Sequence, residues 1–298
     1  MATMQEFANW LQACPEDEQA LLDLQLDLNA ALVEGMPPLV ILTQIAQHFA
    51  DNGLPDAPTV GLQTLLRCGA DPLQQAAAHM TALHLAAAAG LLDQVRILMQ
   101  HPQTLDARDS EGFTPLMFAV QEGKEDVVAA LLTVTKQIDA GDYQDRTALH
   151  HAGRVGHARI AQQLLDAGAA AGVFCVGAAT PLMMAATAGA VDTVQVLIRH
   201  GADCNALDLK EGYSALMLAA FGGHIPVMQS LIDAGADVNQ CTEWNVNALT
   251  MAERGEHEEA VAMLKGLGAT DAGPVVRPIH MGFGWVGDPM LVRQMPPA

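Results

Sequence analysis

From about residue 77 onward the apolar positions come in short clusters spaced 3 and 4 apart, each cut off by a glycine or a polar turn. Val95, Leu98 and Met99, and later Val194, Leu197 and Ile198, have the spacing that lines one face of a helix. Each is preceded by another apolar cluster, opening at Thr81, Thr114, Thr147, Thr180, Ser214 and Asn247, at intervals of 33, 33, 33, 34 and 33 residues. Leu stands two positions after every opening residue (83, 116, 149, 182, 216, 249) and Ala five positions after it (86, 119, 152, 185, 219, 252). Gly stands nine positions after it at 90, 123, 156, 189 and 223, with Glu256 in the sixth unit. A fixed period of this length predicts tandem helical hairpins that bury their apolar faces against one another.

The opening Thr, Ser or Asn supplies a side-chain oxygen for the unpaired amides of a first helical turn, and Pro115 and Pro181 sit where a missing N–H costs nothing. The Ala column lets helices approach closely. The Gly column supplies positive φ for a tight turn, as do Gly168, Gly201, Gly235 and Gly268 at the ends of the second helices.

These residues resemble the ankyrin repeat: Thr-Pro-Leu-His-x-Ala, a Gly turn, a Leu-rich helix, Gly-Ala-Asp, and an Asx-containing loop. The resemblance covers about residues 77–270. It implies an all-α solenoid of helix-turn-helix units, an L-shaped stack with β-hairpin-like fingers. It also implies that His84 and His150, at the motif's His, make structural hydrogen bonds to loop backbone. The first two units lack the closing Gly-Ala, the finger at 208–212 carries one extra residue, and the finger at 172–179 has lost its usual Asp.

Both ends depart from the pattern, as the caps of a solenoid must. Residues 59–76 read as a degenerate half repeat (Leu62, Leu65, Leu66, Gly69-Ala70-Asp71), with its first helix replaced by one from Leu39 to Ala50. Residues 1–58 read as an acidic helical cap, with a helix expected from the acids after Pro15 to Gly35. Residues 1–66 hold nine acids and no Lys or Arg, and two readings stand open: a solvated cap, or a docking surface for a basic partner. Residues 271–298 form a Pro- and Gly-rich tail whose Met281-Gly-Phe-Gly-Trp285 stretch either folds back over the last repeat or inserts into a partner.

A formal charge of -20 disfavours nucleic acid and anionic membrane surfaces, so the natural partner is another protein, basic or mixed in charge. Five scattered cysteines, with no Cys-x-x-Cys, and an N-terminus without an export signal point to reduced thiols and a cytoplasmic chain. No phosphate-binding loop, dinucleotide fingerprint, zinc-protease motif or nucleophile elbow is present, so no catalytic residue, cofactor or metal site is assigned. His150, His151 and His157 cluster, but His84 and His150 share one column and His157, His224 and His257 another, whose members lie a repeat or more apart, and metal ligands must converge within ~2 Å of one ion.

The resemblance places partner contacts at the finger tips and on the exposed side of each first helix. In this sequence those positions are Ser110, Glu111, Phe113, Gln121 and Glu122; Tyr143, Gln144, Arg146, Arg154 and Val155; Lys210, Glu211, Tyr213 and Phe221; and Glu243, Trp244, Val246 and Arg254. They hold five of the chain's twelve aromatic residues, while the core columns use Leu, Val, Ala and Met. Exposed rings beside arginines are what an interface hot spot leaves in a sequence. The expected function is therefore a non-catalytic protein-binding scaffold. Two alternatives remain: a bacterial immunity or antitoxin-type inhibitor that occludes a toxin's active site, and an effector with a cryptic N-terminal activity.

Overall fold

The computed structural model describes residues 4–24, 27–28, 36–51 and 56–273. The chain divides into two compact units, the first of residues 1–143 with 166–169, the second of residues 144–165 with 170–298. Among the described residues regular structure is helical, with isolated antiparallel bridges at Gln75–Thr81 and Leu207–Ser214 inside the fingers.

In the first unit α1 (Met4–Ala13) and α2 (Glu18–Asp23) lead into α3 (Pro38–Asp51) and α4 (Ala57–Arg67). Asp17 caps α2, accepting from Ala20 N at 3.0 Å, and Leu24 ends it. The long helix expected up to Gly35 is thus corrected: six residues are helical, and Asp27 and Leu28 lie outside any helix. The alternation of Leu22, Leu24, Leu26 and Leu28 cannot keep one helical face apolar, which is the physical reason it stops. Residues 25–26 and 29–35 lie outside the described residues. The core here is partly aromatic. Phe7 and Trp10 are buried and stacked at 5.5 Å, and Trp10 Nε1 donates to Asp17 O. Arg67 reaches Glu18 at 3.3 Å, a solvent-exposed pair that contributes little to stability.

Three helix pairs then stack in this unit: α3 with α4, α5 (Ala82–Ala89) with α6 (Leu92–Leu98), and α7 (Pro115–Gln121) with α8 (Glu125–Leu132). First helices pack on first helices and second on second. Leu83, Ala86, Val95 and Leu98 are fully buried between them.

The second unit repeats the arrangement with α9 (Ala148–Val155), α10 (Ala158–Asp166), α11 (Pro181–Thr187), α12 (Val191–Arg199), α13 (Ala215–Phe221), α14 (Ile225–Asp233), α15 (Ala248–Arg254) and α16 (Glu258–Gly266). The opening residues act as helix caps: Thr114, Thr180, Ser214 and Asn247 accept from the amide three residues on. Helix approach is close enough to require glycine at 153, where a Cβ would lie 2.6 Å from the Pro181 carbonyl oxygen. In the hairpin turn Glu256 takes φ +58°, the left-handed conformation that glycine adopts in the other five units. Turn geometry is therefore kept where the residue type is not. The tail expected over 271–298 falls outside the described residues from 274 on.

Candidate functional site

Each finger closes on an anchor residue five or six positions before its helix cap. Asp109 Oδ1 accepts from Glu111 N at 2.9 Å and Phe113 N at 2.8 Å. Asp208 accepts from the amides of Lys210, Glu211 and Tyr213, all at 2.8 Å. Thr242 Oγ1 accepts from Trp244 and Val246, both at 3.2 Å. The carbonyls of Phe113, Tyr213 and Val246 in turn accept from the anchors' own amides. The last finger residue is thus held from both sides, and its side chain turns inward.

That geometry corrects the expected exposure of three residues. Phe113 is 7% exposed, Tyr213 2% and Val246 1%, so they are plugs beneath their fingers and present no surface to a partner. Phe113 packs on Phe118, which meets His84 edge-on. The core thus holds aromatic side chains beside the Leu, Val, Ala and Met of its columns: Phe113 and Tyr213, with Phe7 and Trp10.

In the first unit Ser110, Glu111 and Glu122 are exposed, Gln121 is half-buried, and Tyr143 is 67% exposed at its tip. In the second unit Lys210 and Glu243 are exposed, and Val155 stands out from α9. Gln144, Arg146, Arg154, Glu211, Phe221, Trp244 and Arg254 are half-buried there.

Two tip residues had not been singled out from the sequence. Val176 is 54% and Leu209 74% exposed, in the same place as Ser110, Tyr143 and Glu243: directly after the anchor. Val176 lies four residues before its helix cap Thr180, on the same count as Ser110, Tyr143 and Glu243, whereas Leu209 is found only by alignment on the anchor. The extra residue in the finger at 208–212 shifts a count made backward from Ser214 by one.

Tip amides link neighbouring fingers. Ser110 N donates to Ala78 O and Tyr143 N to Glu111 O in the first unit, and Val176 N to Gln144 O in the second, at 2.8 to 3.0 Å. Below the tips, His84 and His150 each accept an N–H of their helix cap on Nδ1 and reach a carbonyl of the next finger with Nε2, as the resemblance implied. Burial pushes the His84 pKa down, which the Phe113 carbonyl only partly offsets. His224 Nε2 meets Thr187 O, and His257 Nε2 meets Phe221 O, at 3.1 and 3.0 Å. These histidines are spent on backbone. Among the described residues no helix is long and apolar enough to cross a membrane, and no three His, Cys, Asp or Glu side chains gather as a metal site would require.

Stacked helical hairpins with capped first helices and anchored fingers define a repeat protein built to present a surface. The family model described as ankyrin repeats (3 copies) matches residues 57–142, 133–208 and 182–271. The chain belongs to the ankyrin-repeat family. It is 34% identical over 130 residues to the ankyrin repeat and KH domain-containing protein mask-1 of Caenorhabditis elegans, covering 43% of this chain and 5% of that protein. To ankyrin repeat protein nuc-2 of Neurospora crassa it is 30% identical over 207 residues, 67% of this chain and 19% of the relative. To a probable E3 ubiquitin-protein ligase, XBOS31, of Oryza sativa subsp. japonica it is 38% identical over 92 residues, 30% of this chain and 21% of the relative. The chain spans about a fifth or less of these relatives. They come from a nematode, a fungus and a plant, and lend no support to a bacterial immunity protein.

Proposed function

We propose that this chain is a non-catalytic scaffold that binds another protein, basic or mixed in charge, through its finger tips and the exposed side of its first helices, in keeping with the protein–protein interactions that ankyrin-repeat proteins generally mediate. The observation that carries the reading is the set of apolar tips. Val176 and Leu209, on successive tips of the second unit, follow the finger anchors and are more than half exposed, whereas the Tyr143 ring, on a tip of the first unit, rests against Gly112 of the preceding finger. Large side chains left in water at equivalent positions of successive repeats are what a binding face needs and a packing scheme does not.

Charged groups flank them. Lys210 and Glu211 stand beside Leu209, Asp145 and Arg146 follow Tyr143, and Glu243 is exposed on the last finger. The first helices of the second unit add Arg154, Phe221 and Arg254. Such charges steer and orient a partner more than they raise its affinity. The half-buried Phe221 and Trp244 are the anchors to test.

The test is affinity capture from the native host with the wild-type chain and with F221A/W244A, each first checked for unchanged helicity and urea midpoint. Loss of a specific partner in the variant, with at least about tenfold weaker binding by titration of that partner, supports the reading. Equal capture by both chains argues against the finger and first-helix surface.

A further inference from the structure

The inner face of the second unit is formed by α9, α11, α13 and α15, which pack in that order. Seven residues after each helix cap, in or at the end of the last turn, stand Arg154, Thr187, Phe221 and Arg254, all half-buried. One turn earlier the same side carries the half-buried Met184 and the nearly covered Leu218. The row is therefore neutral or apolar in its middle and cationic at both ends, in a chain of -20. Among these four helices the one carboxylate is Glu253, which accepts from Lys265 Nζ at 3.3 Å. The finger tips, beyond the other ends of the helices, carry both signs: Asp145, Glu211 and Glu243 with Arg146 and Lys210.

Arg154 Nε is shut off from solvent and has no hydrogen-bond partner among the described residues. A cation in the last turn of a helix complements the helix dipole, but that effect asks nothing of Nε and a fully solvated side chain meets it equally. A guanidinium withdrawn from water without an acceptor costs free energy, which a carboxylate facing its fork recovers through two parallel hydrogen bonds. Spacing sets the shape of such a ligand. Three helix-to-helix steps of ~8–10 Å take the row from Arg154 to Arg254 over about 24–30 Å, a length that about seven to nine residues of extended chain cover at ~3.3 Å each.

We propose that the inner face of the second unit binds an extended acidic segment of the partner, with apolar side chains on Met184 and Phe221 between carboxylates that meet Arg154 and Arg254. This rests on the scaffold reading above and narrows the partner to one of mixed charge. Its acidic segment enters the face, while its basic surface is drawn to the acids elsewhere on the chain.

Panning the full chain against a display library of random peptides about 12 residues long, enough to reach both arginines, tests it. Peptides selected by the wild type should be enriched about threefold or more in Asp and Glu over the input library, with apolar residues between the acids. The best of them, as a free peptide, should bind R154Q/R254Q about tenfold or more weakly than wild type. It should bind R159Q/R199Q, the same charge change at exposed positions of the second helices α10 and α12, as it binds wild type. R154E/R254E should select Lys and Arg instead. Selected peptides that are neutral or basic overturn the proposal, as does equal binding to wild type and R154Q/R254Q, or a failure to select any peptide. The library is read on the wild-type chain, so its composition decides even where a variant is unstable. Weaker binding to F221A/W244A with no effect of R154Q/R254Q leaves the scaffold reading standing and removes the acidic segment. A peptide insensitive to both pairs of substitutions removes both.

Discussion

His84 Nε2 lies 3.0 Å from the carbonyl oxygen of Phe113, twenty-nine residues away, while its Nδ1 receives the Thr81 N–H at 3.2 Å. Both bonds exist together only in the neutral Nε2–H tautomer, since a proton on Nδ1 would face a donor. One imidazole therefore caps its own helix and ties it to the next finger.

A pH dependence follows. Burial lowers the His84 pKa in the folded chain, so below the unfolded value of ~6.5 the unfolded chain binds more protons. The stability contributed by the neutral imidazole is complete above that value and is lost as pH falls toward the folded pKa. Met occupies the same column at 117, 183 and 217, so H84M is tolerated sterically. Urea midpoints measured from pH 7.5 to pH 5 should fall more steeply for wild type than for H84M.

Thr193 is fully buried in α12 and its Oγ1 has no hydrogen-bond partner among the described residues. The equivalent positions in the other five repeats hold Gln94, Val127, Ile160, Val227 and Ala260, all buried and four of them apolar. T193V keeps the shape and removes a desolvated hydroxyl, and should stabilise the chain by about 1 kcal/mol. Chemical denaturation with an unchanged m-value checks this. A lower midpoint would show that the hydroxyl is satisfied.

Cys175 stands where Asp109 and Asp208 anchor their fingers, and its buried thiol takes none of the amides those carboxylates accept. C175D should supply acceptors to Gly177 and Ala179. Amide exchange at those two residues is expected to slow by about tenfold, with little change in neighbouring repeats. Unchanged exchange would mean the finger holds its shape through backbone bonds such as Cys175 N to Ala179 O and Ala178 N to Cys175 O.

The repeat, its helix starts and its turns were readable because they depend on local chemistry. A cap needs Thr, Ser or Asn, a tight turn needs positive φ, and a helix face needs apolar residues 3 and 4 apart. Glu256 shows the limit even there, since its φ of +58° follows from neighbours that packed the same way in five other units. The candidate site was readable only in part. The position of Tyr143 at a tip could be read because it lies four residues before its helix start, and that of Leu209 could not because an insertion moves it off that count.

What the sequence determined by itself is the period, the family and the columns that fill the core, because each repeat meets the same neighbours and the same physics recurs every 33 residues. Only the tertiary structure decided which way each finger residue faces. The hydrogen bonds between an anchor and the residue four or five places on turn Phe113 and Tyr213 inward, and leave Val176 and Leu209 in water. Residue type is blind to that choice, since the closing bonds are made by backbone amides that every residue but proline possesses.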